Sequence, residues 1–345
     1  MPHDPSAAAP RVNPLVVEVT RGDMVESRHR AAVAVADADG KVVRAWGDIA
    51  SPVYPRSAIK PLQALPLIES GAADRFALGA AEIALACASH SGEPRHVATV
   101  LAWLARIGLA VGDLECGSHP PHHGPSAEAL LAAGARPTPA HNNCSGKHAG
   151  FLATARHLGE PTRGYIRFDH PVQQRVLGTL EQMTGLDLGR APRGIDGCGI
   201  PVIGLPLGNM AIAMARLADP ARLPPARAAA SRRVLGAMAA EPHLVAGTGR
   251  FCTAVIAATG GAVLVKTGAE GVYVAILPTL GLGVALKVDD GAGRAAEVAM
   301  GQVLRHLGLL SAEQETALAA MLTPPVVNRV GTETGRIRPA ADCPF

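Results

Sequence analysis

Segments with strand character sit at the two ends of this 345-residue chain, and the stretch between them reads as helix. Near the start, the apolar runs Ala31–Val35 and Val42–Trp46 flank Ala36-Asp37-Ala38-Asp39-Gly40, whose Asp-Gly pair predicts a hairpin. Near the end, Ala262–Val265, Val272–Leu277 and Gly283–Lys287 are joined by connections too short for a crossover helix, so they form an antiparallel meander. Leu101–Ala105, Ala127–Ala133, Lys147–His157, Val172–Thr184, Met210–Leu217 and Ala226–Ala239 carry helical periodicity or are rich in alanine, and a further helix covers Gly293–Leu307. A two-stranded ribbon is marginal in water, which favours one sheet drawn from both termini. The expected fold class is therefore α/β of the α+β type: an antiparallel sheet of N- and C-terminal strands, flanked by helices, with an inserted, mainly helical lobe. The expected boundaries are a tail over 1–13, one catalytic domain over 14–338 and a tail over 339–345. Within that domain, 14–56 and 245–338 form the sheet lobe and 57–244 the helical lobe.

With 48% apolar residues the chain can bury a core, and with 3% aromatic residues that core must be mostly Ala, Val and Leu. A formal charge of +3 and the lack of a basic stripe interleaved with aromatics argue against a nucleic-acid partner. No long uninterrupted apolar stretch suggests a membrane span. Met1–Pro14 lacks the basic start and apolar run of an export signal, and six cysteines in so long a chain read as thiols. The expected location is the cytoplasm.

Chemistry concentrates in a few short motifs. In Pro55-Arg56-Ser57-Ala58-Ile59-Lys60-Pro61, residues three apart share a helix face, so Lys60 can reach Ser57 and take its proton if burial leaves the amine neutral. Alone, the motif equally describes a solvated pair on a surface helix. Lys266-Thr267-Gly268 closes a predicted strand, the context that a Lys-Thr-Gly motif requires opposite Ser-x-x-Lys. Ala88-Ser89-His90-Ser91-Gly92-Glu93 supplies either helix-capping residues or a second cleft hydroxyl, Ser89, paired with Lys266. Cys144, Asp196 and Cys198 lie in Gly-rich polar turns and offer two thiolates and a carboxylate, with water, Lys147 or His148 as a fourth zinc ligand. Unrelated cysteines in polar loops fit that spacing as well. Gly247-Thr248-Gly249-Arg250 is either an ordinary strand-entry turn or a place where Arg250 grips a carboxylate.

Taken in order, these blocks, with His141-Asn142-Asn143-Cys144-Ser145-Gly146-Lys147-His148-Ala149-Gly150, Gly194-Ile195-Asp196-Gly197-Cys198 and Lys287-Val288-Asp289-Asp290-Gly291, resemble the L-asparaginase II family of the Rhizobium etli type from about Val16 to Arg338. The resemblance implies a serine β-lactamase, penicillin-binding-protein and glutaminase-like fold, a homodimer, and hydrolysis of L-asparagine to aspartate and ammonia. It implies two Ser–Lys pairs, Ser57 with Lys60 and Ser89 with Lys266, and one zinc ion per chain at Cys144, Asp196 and Cys198 with Lys147 close by. Arg56, His90, Glu93, Asn143, His148, Arg250 and Cys252 are the candidates for binding the substrate's charged ends. The competing readings are a glutaminase or β-lactam-type amidohydrolase, and a non-catalytic zinc-binding protein.

Overall fold

The computed structural model describes residues 12–345. Eight strands form its main sheet: β1 (Leu15–Arg21), β2 (Met24–Asp37), β3 (Val42–Trp46), β4 (Leu264–Thr267), β5 (Val272–Leu277), β6 (Leu282–Val288), β7 (Pro325–Val327) and β8 (Glu333–Pro339). Their order is β7-β8-β1-β2-β6-β5-β4, with β3 paired to β2, and every pairing is antiparallel. All eight strands come from the two ends of the chain, as the sequence predicts. The join between the ends is β2 against β6, in register from Ala31↔Val288 to Asp37↔Leu282. Every residue from Ala31 to Ala36 is buried, so small side chains on a strand covered on both faces let helices approach it closely.

Three strands were not foreseen. Strand β1 forms a two-residue hairpin with β2 through Gly22-Asp23, and β7 and β8 extend the sheet beyond it. The 339–345 segment is no free tail: Ala340 N–H donates to Val16 O, and Phe345 is buried with its ring 5.0 Å from that of Trp46. Of the expected tail over 1–13, residues 1–11 lie outside the described residues. Asn13 is tied down, accepting from Asp48 N–H and donating to Asp289.

The helical segment is inserted between β3 and β4. Its long helices are Pro94–Arg106, Ser145–Leu158, Pro171–Thr184, Leu207–Ala218 and Pro225–Ala240, in the places the sequence gives them but extended at their ends. Helix Leu207–Ala218 packs on β2 and β6, joining the lobe to the sheet. A separate short hairpin, Arg193–Ile195 with Pro201–Ile203, carries the Asp196–Cys198 turn at its tip. The Gly247–Cys252 segment enters a helix, Phe251–Ala258, rather than a strand. None of the described helices is long and apolar enough to cross a membrane.

Candidate active site

Ser57 lies in a 3-10 turn, Arg56–Ile59, that runs directly into a helical turn from Lys60 to Gln63. Pro61 falls in the first turn of that helix, where its missing N–H costs nothing. The first bond of the 3-10 turn is Ala58 N–H to Pro55 O, which leaves the Ser57 N–H outside the turn's own pattern. Strand β4 closes over this turn at Gly268, where a Cβ would meet Pro55 O at 2.8 Å and Ala58 N at 3.2 Å. The Lys-Thr-Gly glycine therefore has a steric reason: any side chain there would push the strand off the Ser57 turn.

Lys60 is fully buried, and its amine does not bond Ser57. Instead it donates to Ala88 O at 2.5 Å and Ser89 Oγ at 3.1 Å, and it contacts Cys144 Sγ at 3.1 Å. Lys266, at the end of β4 and equally buried, donates to the same Ser89 Oγ at 2.7 Å and to Thr267 O at 2.7 Å. One buried hydroxyl thus bridges two buried amines. Burial, then the charge of Lys60, lowers the Lys266 ammonium to about 7, since a second cation nearby disfavours the charged form.

The thiol pocket shares a wall with these amines. Cys144 precedes helix Ser145–Leu158, and Gly146 lets that helix press against Ala80–Ala86: a Cβ there would meet Leu85 O at 2.2 Å. Ser89 follows the end of Ala80–Ala86, so this contact fixes the spacing between hydroxyl and thiol. Lys147 Nζ donates to Cys198 Sγ at 2.9 Å. Contact with Cys198 and the charges of Lys147 and Lys60 hold the Cys144 thiol well below its ordinary value despite burial. Asp196 lies beside this group, where, against burial, the charge of Lys147 and then that of Arg56 hold its carboxylate below the usual range. Its carboxylate accepts from Arg56 Nε at 2.8 Å and from Gly197 N–H at 2.7 Å.

Several expected substrate ligands have other employment. Arg56 is engaged by Asp196, and its backbone is left-handed at φ 50. His90 is fully buried and caught between Ser145 Oγ and Gly92 N–H. Cys252 lies 2.9 Å from the Tyr273 hydroxyl and is buried. His148 faces Tyr165 OH through Nδ1, while its buried Nε2 has no partner. Glu93 accepts from Thr248 N–H, Thr248 Oγ and His243 Nε2, so its carboxylate is used inside the protein. These donors outweigh burial and hold Glu93 at about 2. Asn143 and Arg250 remain half-buried beside the Ser89 segment: Asn143 O accepts from His90 N–H, and the loop leading to Arg250 accepts from Ser89 N–H at Val245 O. Residues the sequence reading missed are Ala88, whose carbonyl holds Lys60, and His243 and Thr248, which hold Glu93. Thr248, in the quoted Gly-Thr-Gly, and Ala88, at the head of the Ser89 block, carried a local signal; His243 did not.

Among curated proteins no sequence match is found. Among solved structures, Mglu in its native form shares 13% identity at TM-score 0.42, covering 82% of this chain and 63% of that one. The chain thus spans less than two thirds of that protein. A β-lactamase from Mycobacterium bovis matches at 16% identity and TM-score 0.39, over 80% of this chain and 94% of the other. D-alanine carboxypeptidase AmpC from Burkholderia cenocepacia matches at 12% identity and TM-score 0.37, over 79% and 93%. The profile of L-asparaginase II matches residues 17–339, a span that holds both serines, both lysines and both pocket thiols. The chain therefore belongs to the L-asparaginase II family.

Proposed function

We propose that this chain is an amidohydrolase, an L-asparaginase that cleaves the side-chain amide of L-asparagine by serine catalysis. The observation that carries the reading is the Lys60–Ser89–Lys266 chain, with hydrogen bonds of 3.1 and 2.7 Å meeting on one buried hydroxyl. Ser57 Oγ attacks the amide carbon, and its proton passes to the amine of Lys60, three residues along the same turn. The Ser57 N–H is placed to donate to the oxyanion. Ser89 then hands a proton to the departing nitrogen while receiving one from a lysine, so ammonia leaves and a β-aspartyl ester stays on Ser57. Water cleaves the ester, the proton chain running in reverse, and aspartate leaves. Ammonia release from asparagine and glutamine, measured side by side with a chromogenic β-lactam as control, tests the substrate. Faster turnover of glutamine or of the lactam would overturn the asparaginase reading.

A pH dependence follows from the same chain. Above about 7, where Lys266 gives up its proton, its free amine can share a proton through the Ser89 hydroxyl. Below that value the Lys266 amine is charged and takes no proton from Ser89. The value of kcat/KM is therefore expected to rise with pH through an apparent pKa near 7, and a pH–rate profile checks it. A flat profile from pH 5 to 9, roughly the window on either side of that value, would count against the shared proton.

We also propose one zinc ion at the thiol pocket. Cys144, Cys198 and Lys147 are a fitting donor set, two buried thiols with an amine on one of them. Asp196 fits less well, since its carboxylate is turned to Arg56. Bound there, a zinc ion would supply positive charge and cross-bracing beside the cleft. Cys198→Ala is expected to remove the zinc found by elemental analysis, with wild type near one ion per chain. A metal-free wild type would refute the proposal. A homodimer in the cytoplasm completes the reading, supported by the family resemblance and by six cysteines that are all free thiols.

A further inference from the structure

The loop Val245–Arg250 is fastened to the Ser89 segment along its whole length. Ser89 N–H donates to Val245 O at 3.0 Å, Ser91 Oγ donates to Ala246 O at 2.9 Å, and Thr248 N–H and Oγ donate to Glu93 at 2.8 and 2.7 Å. Gly247 makes the closest approach at φ +120, and a Cβ there would meet Glu93 Oε1 at 2.4 Å and Ser91 Oγ at 2.7 Å. His243 adds a third donor to Glu93 at 3.1 Å and stacks on His96, which stacks on His90, with ring centroids 4.9 Å apart at each step. A carboxylate only 7% exposed, with three donors, is a built anchor rather than a substrate receptor. What it anchors ends two residues later in Arg250, the residue that caps helix Phe251–Ala258. Among the described residues no carboxylate lies within salt-bridge reach of that guanidinium; Glu297, the acid it influences, forms no ion pair with it.

We infer that Glu93 is a positioning residue: it fixes the Gly247–Arg250 loop so that the unpaired Arg250 cation meets the α-carboxylate of the substrate. This rests on the asparaginase reading above. Replacing Glu93 by Gln keeps the shape but turns an amide NH2 toward Thr248 or His243, both of which are donors. The loop then loses its anchor while Ser57, Lys60, Ser89 and Lys266 keep theirs.

The experiment compares wild type, Glu93→Gln, Glu93→Asp and Thr248→Val on L-asparagine and on 3-aminopropanamide, which is asparagine without its α-carboxylate. Glu93→Gln is expected to raise KM for asparagine about tenfold to 100-fold with kcat close to wild type, since a misplacement of about 1 Å costs on that order. It should leave kcat/KM for 3-aminopropanamide nearly unchanged. Thr248→Val should give the same pattern more weakly, and Glu93→Asp should partly restore KM. A melting curve on each variant separates unfolding from misplacement, and Thr248→Val carries the test if Glu93→Gln does not fold. Equal losses on both substrates, or a loss in kcat alone, would overturn the inference. Wild type that releases no ammonia from asparagine would instead sink the substrate assignment, and the inference with it.

Discussion

Replacing Lys60 by methionine is expected to lower kcat/KM for asparagine by about three to four orders of magnitude, at the upper end of what losing a positioned proton acceptor costs. The amine belongs to the residue three places after Ser57 and sits on Ser89 Oγ at 3.1 Å and against Cys144 Sγ at 3.1 Å. Methionine has nearly the same length and fills the same buried space, so the cavity term is small. Ala88 O loses its donor, and leaving such a buried acceptor unpaired costs about 1–3 kcal/mol. The variant should therefore fold, with a modest fall in denaturant midpoint, and fail at chemistry. Lys60→Arg should fail as badly, because a guanidinium holds its proton throughout the working range. Activity within about tenfold of wild type in either variant would place the base elsewhere.

How much of this was legible beforehand depends on the range of the interaction. The hairpin signal at Asp39-Gly40, the alternation of short apolar runs and turns after Ala262, and the helical periodicity between them are local, and they locate the sheet and the insertion. Strand β1 was equally visible, since the valine-rich run Leu15-Val16-Val17-Glu18-Val19 ends close to Gly22-Asp23, a two-residue turn. Strand β8, Glu-Thr-Gly-Arg-Ile-Arg-Pro, was not: it lies near a sheet edge with alternate residues exposed, and such strands need few apolar residues. The site divides in the same way. Ser-x-x-Lys and Lys-Thr-Gly name the right side chains from local spacing. That spacing does not reveal that Ala88-Ser89 passes over the turn and takes the Lys60 amine. Nor does it show that Arg56 and Asp196 pair with each other, or that Glu93 is filled by Thr248 and His243. Each of those partners arrives from 28 or more positions away, so only the packed chain chooses it.

Ser57→Ala and Ser89→Ala should separate the two serines, and the larger loss belongs to Ser57. Removing a nucleophile that works as one unit with its base costs on the order of 10⁴- to 10⁶-fold in kcat, whereas removing a proton carrier costs on the order of 10²- to 10⁴-fold. The geometry argues for this order. Ser89 is buried, with two amines already occupying its oxygen at 3.1 and 2.7 Å, so an attack on carbon would have to break the contacts that activate it. Ser57 is half-buried at the start of a turn, with its N–H outside the turn's bonds and a lysine three residues on. Catalytic contacts in a substrate-free site are often long and tighten only around substrate, so the absence of a Lys60 bond to Ser57 is compatible with attack. The decisive measurement is mass spectrometry of protein quenched during turnover. With wild type an aspartyl adduct should map to the peptide holding Ser57. With Ser89→Ala it should form slowly on that same peptide, and with Ser57→Ala no adduct should form. An adduct on the Ser89 peptide, or Ser57→Ala retaining more activity than Ser89→Ala, would exchange the two roles and leave Ser57 as the carrier of the proton.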